Sequence, residues 1–466
     1  VDLDIEICRR ARLARDARFD GRFFVGVHST GIYCRPVCPA PPARESNVQY
    51  FPSAAAAAET GLRPCLRCRP EASPGTPAWN GRSTTVARGL RLIGEGALDE
   101  ASVEALAARL GVGARHLRRL FIEHLGATPV AIAQTRRLQF AKRLIDETAM
   151  PLTEIALASG FRSIRRFNAS IQRAYRRPPR ELRKLAGATS AAPPGEHVLR
   201  LPFRPPLDWA ALLDFLRLRA IPHLEEVTED CYRRQFCFKG KEGRLEARIA
   251  GSAVRLAIAY PDARALLAIS ERVRRMFDLD ADPDSIAAHL SGDSALAKRI
   301  RKRPGLRIPG AWDGWEAGVR AILGQQVSVR AASTLAGRLV QRFGDGRVFP
   351  SPEALAEAGI EVVGLPSRRA GTIRQLAASV LSGAVSFSSG ADPDQFRRSL
   401  MAIPGIGEWT AQYISLRALG DPNALPAGDL GLRKALGLTA TEIEIRSQAW
   451  RPWRAYAAIY LWQVEA

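Results

Sequence analysis

The chain has 466 residues, 46 % of them hydrophobic and 25 % charged, enough length and apolar content for several packed cores, about three at roughly 150 residues each. Its formal net charge is +21, and residues 1–190 hold 31 Lys and Arg against 17 Asp and Glu, an excess that favours a polyanionic partner, most simply nucleic acid. An apolar run long enough for a membrane helix is absent, no secretory signal is recognisable, and Cys8, Cys231 and Cys237 are too scattered for a disulfide framework, so the expectation is a soluble protein of a reducing, cytoplasmic compartment.

The first pattern in chain order is YCRPVC (33–38), followed by CLRC (65–68). Thiolates at C-x3-C and C-x2-C spacing converge tetrahedrally on zinc, each short loop presenting two ligands, so Cys34, Cys38, Cys65 and Cys68 are the expected ligands of one zinc ion. Spacing alone favours a metal that merely holds together a small unit with a thin core. The alanine run at 54–58 reads as a short helix. The surrounding residues, FFVGVHSTGIYCRPVCPAPPARESNVQYF and AAAAAETGLRPCLRCRPE, resemble the N-terminal domain of the Ada family of methylation-damage responders over about residues 1–72. The resemblance implies that Cys34 takes a methyl group from a DNA methylphosphotriester and that the other three cysteines are ligands only. Zinc keeps a thiol ionised at neutral pH, so the nucleophile needs no general base. Methylating one of four thiolates removes a negative charge, which weakens repulsion of nearby DNA phosphates. A thioether is a poor leaving group, so the site works once.

A turn-rich break, EASPGTPAWNGRS (71–83), separates this unit from two helix-turn-helix outlines. SVEALAARLGVGARHLRRLF (102–121) places Val103, Leu106, Ala107 and Leu110 on one helix, a turn at Gly111, then Leu117, Leu120 and Phe121 on a second. PLTEIALASGFRSIRRFNASIQRAY (151–175) repeats the pattern with a turn at Gly160, and a helix at roughly 129–146 joins the two. The pair, ASGFRSIRRFNASIQR above all, resembles the DNA-binding domain of AraC-type transcription regulators. The candidate DNA-contacting residues are Arg115, His116, Arg118 and Arg119 in the first copy and Ser163, Arg165, Arg166 and Asn168 in the second. Residues 162–184 hold nine Lys and Arg and one Glu, a composition suited to clamping a phosphate backbone.

AGATSAAPPGE (186–196) reads as a flexible linker. Beyond it AVRLAIAY (253–260) alternates as a half-buried strand with Val254, Leu256, Ile258 and Tyr260 on one face, and YRRQFCF and EARIAG are weaker strand candidates. Helical periodicity returns from about 263. LMAIPGIGEWTAQYISLRALG (400–420) sets Gly405 and Gly407 between two helical stretches, where glycine lets the backbone approach a phosphate. Asp429 follows 20 residues after Trp409, in LPAGDLGLRKAL; alone it reads better as an exposed loop acid or a cap on the following helix. Together these resemble the helix-hairpin-helix, Gly/Pro-rich and Asp (HhH-GPD) DNA glycosylases. WEAGVRAILGQQVSVRAASTLAGRLVQRFG (315–344) and WRPWRAYAAIYLW (450–462) fit their AlkA branch, which excises alkylated bases.

The resemblance covers about 197–466 and implies that Asp429 is the catalytic carboxylate. It also implies that Trp409, Tyr413 and Trp462 line the base pocket, where electron-rich rings suit a cationic base, and that Gln326 wedges into the base stack. Trp409 stands where lyase-type members carry a lysine, which implies a monofunctional glycosylase. No cysteine follows Cys237, which excludes the four-cysteine iron–sulfur cluster of some relatives, and the PCHR motif of alkylguanine methyltransferases is absent.

The expected fold is multidomain and mainly α. It comprises a small four-cysteine zinc domain (1–78), an all-α tandem helix-turn-helix domain (79–185), a linker (186–196), an α+β antiparallel-sheet (TBP-like) domain (197–303) and an all-α helix-hairpin-helix glycosylase domain (304–466). The expected function is a DNA-alkylation-damage response: methyl acceptance at Cys34, transcription regulation, and hydrolysis of the N-glycosidic bond of bases such as 3-methyladenine. One alternative is a transcription regulator whose glycosylase portion is inactive and only binds DNA; another is a glycosylase whose zinc unit is only a structural clamp. The expected partner is double-stranded DNA, both damaged and promoter DNA. RNA polymerase is a further candidate, no membrane is involved, and the chain is monomeric.

Overall fold

The computed structural model describes residues 3–74, 84–187 and 195–463. Residues 75–83 of the turn-rich break and 188–194 of the expected linker lie outside the described residues, and with them the expected boundary at 78. The chain divides into two compact units: Val1–Pro205 with Ala250–Glu271 and Leu279–Ala281, and Pro206–Ile249 with Arg272–Asp278 and Asp282–Ala466.

In the first unit, helix α1 (Ile5–Leu13) precedes a small sheet of order β3-β1-β2-β4. Strand β1 (Phe24–Val27) pairs antiparallel with β2 (Ile32–Cys34) and β3 (Val48–Phe51), and β4 (Arg63–Pro64) lies parallel to β2. The alanine run forms α2 (Ala54–Glu59), started by the Ser53 hydroxyl, which accepts from the Ala56 N–H at 3.0 Å. Alanine keeps that helix slim enough to slide into a core. Ala54 to Ala57 are all buried against Phe24, Tyr33, Phe51 and Leu62, and against Ala127, Ala131 and Ile132 from further along the chain.

The second segment of this unit is all helical: α3 (Thr84–Gly94), α4 (Ala97–Glu100), α5 (Val103–Arg109), α6 (Ala114–Leu125), α7 (Pro129–Glu147), α8 (Leu152–Ala158), α9 (Ile164–Tyr175) and α10 (Pro179–Ala186). The α5–α6 and α8–α9 pairs turn at Gly111 and Gly160, whose φ angles of +73° and +77° favour glycine. Leu106, Leu110, Leu117 and Phe121 close the first pair's core, and the connector α7 ends one residue beyond the expected 146.

Five strands follow: β5 (Glu196–Pro202), β6 (Glu225–Val227), β7 (Cys231–Phe238), β8 (Lys241–Ala250) and β9 (Ala253–Ala259). In the first unit β5 pairs antiparallel with β9, Leu199 opposite Leu256. Strand β9 is more buried than a half-buried strand: Val254, Leu256 and Ile258 are fully covered as expected, but Ala253 and Ala257 on the other face are buried too. In the second unit β6, β7 and β8 form an antiparallel meander. There Arg234 ion-pairs with Glu225 and Glu316, and Arg320 pairs with the same two carboxylates at 3.2 and 2.9 Å, tying the meander to the helix Gly314–Leu323. A buried quartet of alternating charge holds only when every member is matched. The helices Gly314–Leu323, Val329–Phe343, Ser367–Leu381, Pro393–Met401 and Glu408–Ile414 pack around Val319, Ile322, Leu339, Ile373 and Ile414. No helix among the described residues is long and apolar enough to cross a membrane.

Candidate metal centre and candidate active site

Cys34 ends β2, Cys38 follows on a turn whose N–H donates to the Arg35 carbonyl, and the Cys65 N–H donates to the Tyr33 carbonyl at 3.0 Å, so pairing of β4 beside β2 brings the two motifs together. The four sulfurs lie within 4.8 Å of one another. Four Zn–S bonds of about 2.3 Å span a tetrahedron with edges of roughly 3.8 Å, so the donor set fits zinc in both chemistry and size. Cys65 and Cys68 are buried, whereas Cys34 and Cys38 are half-buried. The Arg35 N–H donates to Cys68 Sγ at 3.3 Å, and its guanidinium pairs with Asp20.

An ionic cluster behind the quartet was not read from the sequence. Arg69, next to Cys68 and at a φ of +52°, pairs with Asp146 of α7 at 2.7 Å. Lys142, one turn before Asp146, pairs with it at 2.6 Å and with Glu71 at 3.4 Å. Lys142, Glu71 and Asp146 have side chains no more than 5 % exposed. The available signal was Lys142 and Asp146 at i, i+4 spacing on a helix that also had to be a connector.

The two second helices present their expected residues outward: Arg115, His116, Arg118, Arg119, Arg165, Arg166 and Asn168 are all exposed. Several already have partners. Arg118 pairs with Glu104 at 3.0 Å, and Arg119 lies 3.1 Å from His116 Nδ1. The Ser163 hydroxyl also caps α9, accepting from the Arg166 N–H.

In the second unit a cavity of about 570 Å³ is lined by Trp409, Tyr413, Asp429 and Trp462. Gly405 and Gly407 form the exposed turn between the helices Pro393–Met401 and Glu408–Ile414, and at Gly405, with φ of +93°, a Cβ would lie 2.2 Å from Thr372 Oγ1. Gln325 rather than Gln326 ties to this turn, donating to the Gly405 carbonyl at 2.9 Å; Gln326 is exposed at a φ of +57°. Asp429 is both cap and cavity residue. Its Oδ1 accepts from the N–H groups of Gly431 and Leu432 at the start of the helix Leu430–Leu436, and also from Trp462 Nε1 at 2.9 Å. Its Oδ2 accepts from Trp409 Nε1 at 3.0 Å. A Cβ at position 431 would sit 2.9 Å from Asp429 Oδ1, so a side chain there would push on the carboxylate. Tyr413 stacks on Trp409 with ring centroids 5.3 Å apart and planes 6° from parallel.

Residues outside the expected set complete the wall. Phe215 and Arg219 come from and just after the helix Trp209–Arg217, and Arg417 lies on the π-helical turn Ser415–Leu419 that extends the helix of Tyr413. Arg417 donates to the Tyr413 hydroxyl at 2.9 Å. Burial pushes that phenol up, but the charges of Arg417 and Arg219 outweigh it and hold Tyr413 at about 8. A lone arginine inside the apolar run QYISLRALG, four residues after Tyr413, was the signal for Arg417.

A thiol quartet beside tandem helix-turn-helix pairs, together with an aspartate-centred cavity beside a helix-hairpin-helix turn, defines a DNA-acting regulator fused to a base-excision repair fold. Four family descriptions match in chain order: "Metal binding domain of Ada" (7–71), "Helix-turn-helix domain" (106–185), "AlkA N-terminal domain" (198–313) and "HhH-GPD superfamily base excision DNA repair protein" (319–454). The "Probable bifunctional transcriptional activator/DNA repair enzyme AlkA" of Mycobacterium tuberculosis is 44 % identical, over 98 % of this chain and 96 % of the relative. "DNA-3-methyladenine glycosylase 2" of Escherichia coli is 34 % identical over 57 % of this chain and 96 % of its own length. "Bifunctional transcriptional activator/DNA repair enzyme Ada" of the same organism is 37 % identical over 32 % of this chain and 40 % of its own. The chain belongs to the family of bifunctional transcriptional activator/DNA repair enzymes AlkA.

Proposed function

We propose that this chain accepts one methyl group from a DNA methylphosphotriester on Cys34, regulates transcription through its paired helix-turn-helix units, and hydrolyses the N-glycosidic bond of alkylated bases such as 3-methyladenine. The observation that carries the repair half is the Asp429 carboxylate, presented to a cavity and fixed by four N–H donors, two of them from the indoles that line it. A carboxylate so placed stabilises positive charge developing on the sugar and orients the attacking water. Trp409, standing where lyase-type relatives carry a lysine, leaves hydrolysis without strand cleavage as the reaction.

For the sensor half, zinc bound by the four cysteines would keep their sulfurs ionised at neutral pH. Cys34 and Cys38 are the half-buried pair, and Cys34 lies at the end of β2, in reach of a ligand at the surface. Its sulfur forms a bond to the methyl carbon as the bond from that carbon to the phosphate oxygen breaks, the electron pair leaving with the phosphodiester. The other three cysteines hold the geometry. The thioether product has lost a negative charge, which favours closer approach of duplex DNA to the basic helices behind it. Double-stranded DNA is thus the partner of both halves; we place the chain in the cytoplasm as a monomer, with RNA polymerase its further partner.

One experiment tests both halves. The full chain is incubated with methylated duplex, released bases are separated by chromatography, and the Cys34 peptide is weighed. Expected are release of 3-methyladenine by wild type but not by Asp429→Asn, and a one-methyl mass increase on Cys34. Failure of wild type to release any base would leave a regulator with a DNA-binding-only repair fold. An unmodified Cys34 would reduce the zinc unit to a structural clamp.

A further inference from the structure

The loop that carries the second cysteine pair ends on a strained residue. The Arg69 N–H donates to the Cys65 carbonyl at 3.1 Å and closes the loop, while Arg69 itself sits at a φ of +52°. That left-handed conformation is costly for a residue with a side chain and persists only where the surroundings hold it. On one side the holding group is Arg35. Its N–H donates to Cys68 Sγ at 3.3 Å, and its guanidinium, paired with Asp20, donates to the Cys68 carbonyl at 3.1 Å. On the other side the Arg69 guanidinium reaches away from the cysteines. It pairs with Glu71 at 3.3 Å, and with Asp146 at 2.7 Å and Glu147 at 3.8 Å at the C-terminal end of α7. The Asp146 and Glu147 side chains are only 4 % and 11 % exposed, so salt screens these pairs weakly. Glu147 gives its Oε2 to the Arg200 N–H of β5, which donates at 3.0 Å. One guanidinium thus joins the cysteine loop, the connector helix and, through Glu147, the strand that follows them.

We infer that the acidic end of α7 positions the Cys65 and Cys68 pair of the zinc centre, Asp146 and Glu147 acting through Arg69; the inference rests on the zinc reading of the thiol quartet. Zinc retention then depends on the connector helix as well as on the cysteine segment. Groups behind the ligands of a metal orient them, and their loss typically costs about 10- to 100-fold in affinity. The Cys68 sulfur follows its own peptide, and that peptide is fixed at its carbonyl by Arg35 and one residue further on by Arg69. Without its carboxylates Arg69 has less to hold it in the left-handed region. Its backbone relaxes toward the ordinary regions, and the Cys68 peptide turns with it. Asp146 and Glu147 touch no sulfur, so both are positioning residues. The same helix joins the two helix-turn-helix pairs, which ties the metal of the sensor to the frame of the reader.

The test loads the full chain with zinc and follows the loss of the metal to excess pyridylazoresorcinol, a chromophoric chelator, well below the melting midpoint. Arg69→Gln and Asp146→Asn are each expected to release zinc at least about tenfold faster than wild type. Arg69→Lys keeps the charge and is expected to recover most of that loss. Leu106→Ala weakens the core of the first helix-turn-helix pair instead, and its release rate is expected to stay within about threefold of wild type. Arg69 is 35 % exposed, and Lys142 still faces Glu71 and Asp146 once Arg69 is replaced. Arg69→Gln therefore decides the matter even where Asp146→Asn fails to fold. A wild-type rate for Arg69→Gln, equal rates for Arg69→Gln and Arg69→Lys, or equal acceleration by Leu106→Ala overturns this inference alone. A wild-type chain that takes up no zinc overturns the zinc reading and this inference with it.

Discussion

Asp429 takes its Oδ2 hydrogen bond from one tryptophan and a share of its Oδ1 bonds from another, so the two indoles that line the cavity also position the carboxylate through their N–H groups. Phenylalanine keeps an apolar ring and deletes the donor. Trp409→Phe and Trp462→Phe are each expected to lower kcat about tenfold with little change in KM, and a wild-type kcat for both would return these residues to a purely stacking role. Tyr413 offers a second check. Its folded value of about 8 lies below the ordinary 10.0, so the folded chain releases a proton between those values that the unfolded chain retains. That contribution to stability is full above pH 10 and is lost as pH falls through 8. The difference in stability between wild type and Tyr413→Phe, followed by chemical denaturation from pH 7 to 10, is expected to grow in favour of wild type; a difference independent of pH would remove the argument. Asp429, Trp409, Tyr413 and Trp462 were legible through the resemblance of the hairpin and C-terminal segments to HhH-GPD glycosylases, and the fold brings all four to one cavity. Phe215 and Arg219 lie some 200 residues upstream with no local pattern, and only the fold brings them to the same wall.

At the scale of elements, the helix-turn-helix pairs were legible from 3.6-residue periodicity and two glycine turns, whereas the second role of α7 was not. It connects the two pairs and also carries Lys142 and Asp146 into the ion cluster with Arg69 and Glu71. Nothing in the periodicity of a helix states what its polar residues meet. Lys142→Met leaves Glu71 and Asp146 buried with less positive charge, which costs about 3 kcal/mol or more. The melting midpoint of the first unit, followed by far-ultraviolet circular dichroism, is expected to fall by roughly 6–12 °C. Adding Glu71→Gln to that variant is expected to recover part of the loss, because it removes the charge left stranded. A single variant melting like wild type would show the cluster to be idle.

For the whole molecule, the division into two compact units predicts two separable transitions, and the composition supplies a probe. Seven of the eight tryptophans lie past residue 205, in the second unit. Chelation of zinc is expected to lower or abolish the circular-dichroism transition of the first unit while the tryptophan-fluorescence transition stays where it was. Movement of both together would contradict the division. Chain order and composition announced the four segments, and the bunching of positive charge in residues 1–190 announced nucleic acid. The grouping into two units depends on contacts such as Leu199 opposite Leu256, about 57 positions apart, which no window of sequence displays. One further consequence follows from α2, whose alanines lie in one core with Ala127, Ala131 and Ile132. An engineer who grafts the cysteine segment alone onto another promoter-binding protein would strip that seam bare and obtain a sticky, half-finished graft. The transplantable piece is the cysteine segment together with the connector helix it leans on.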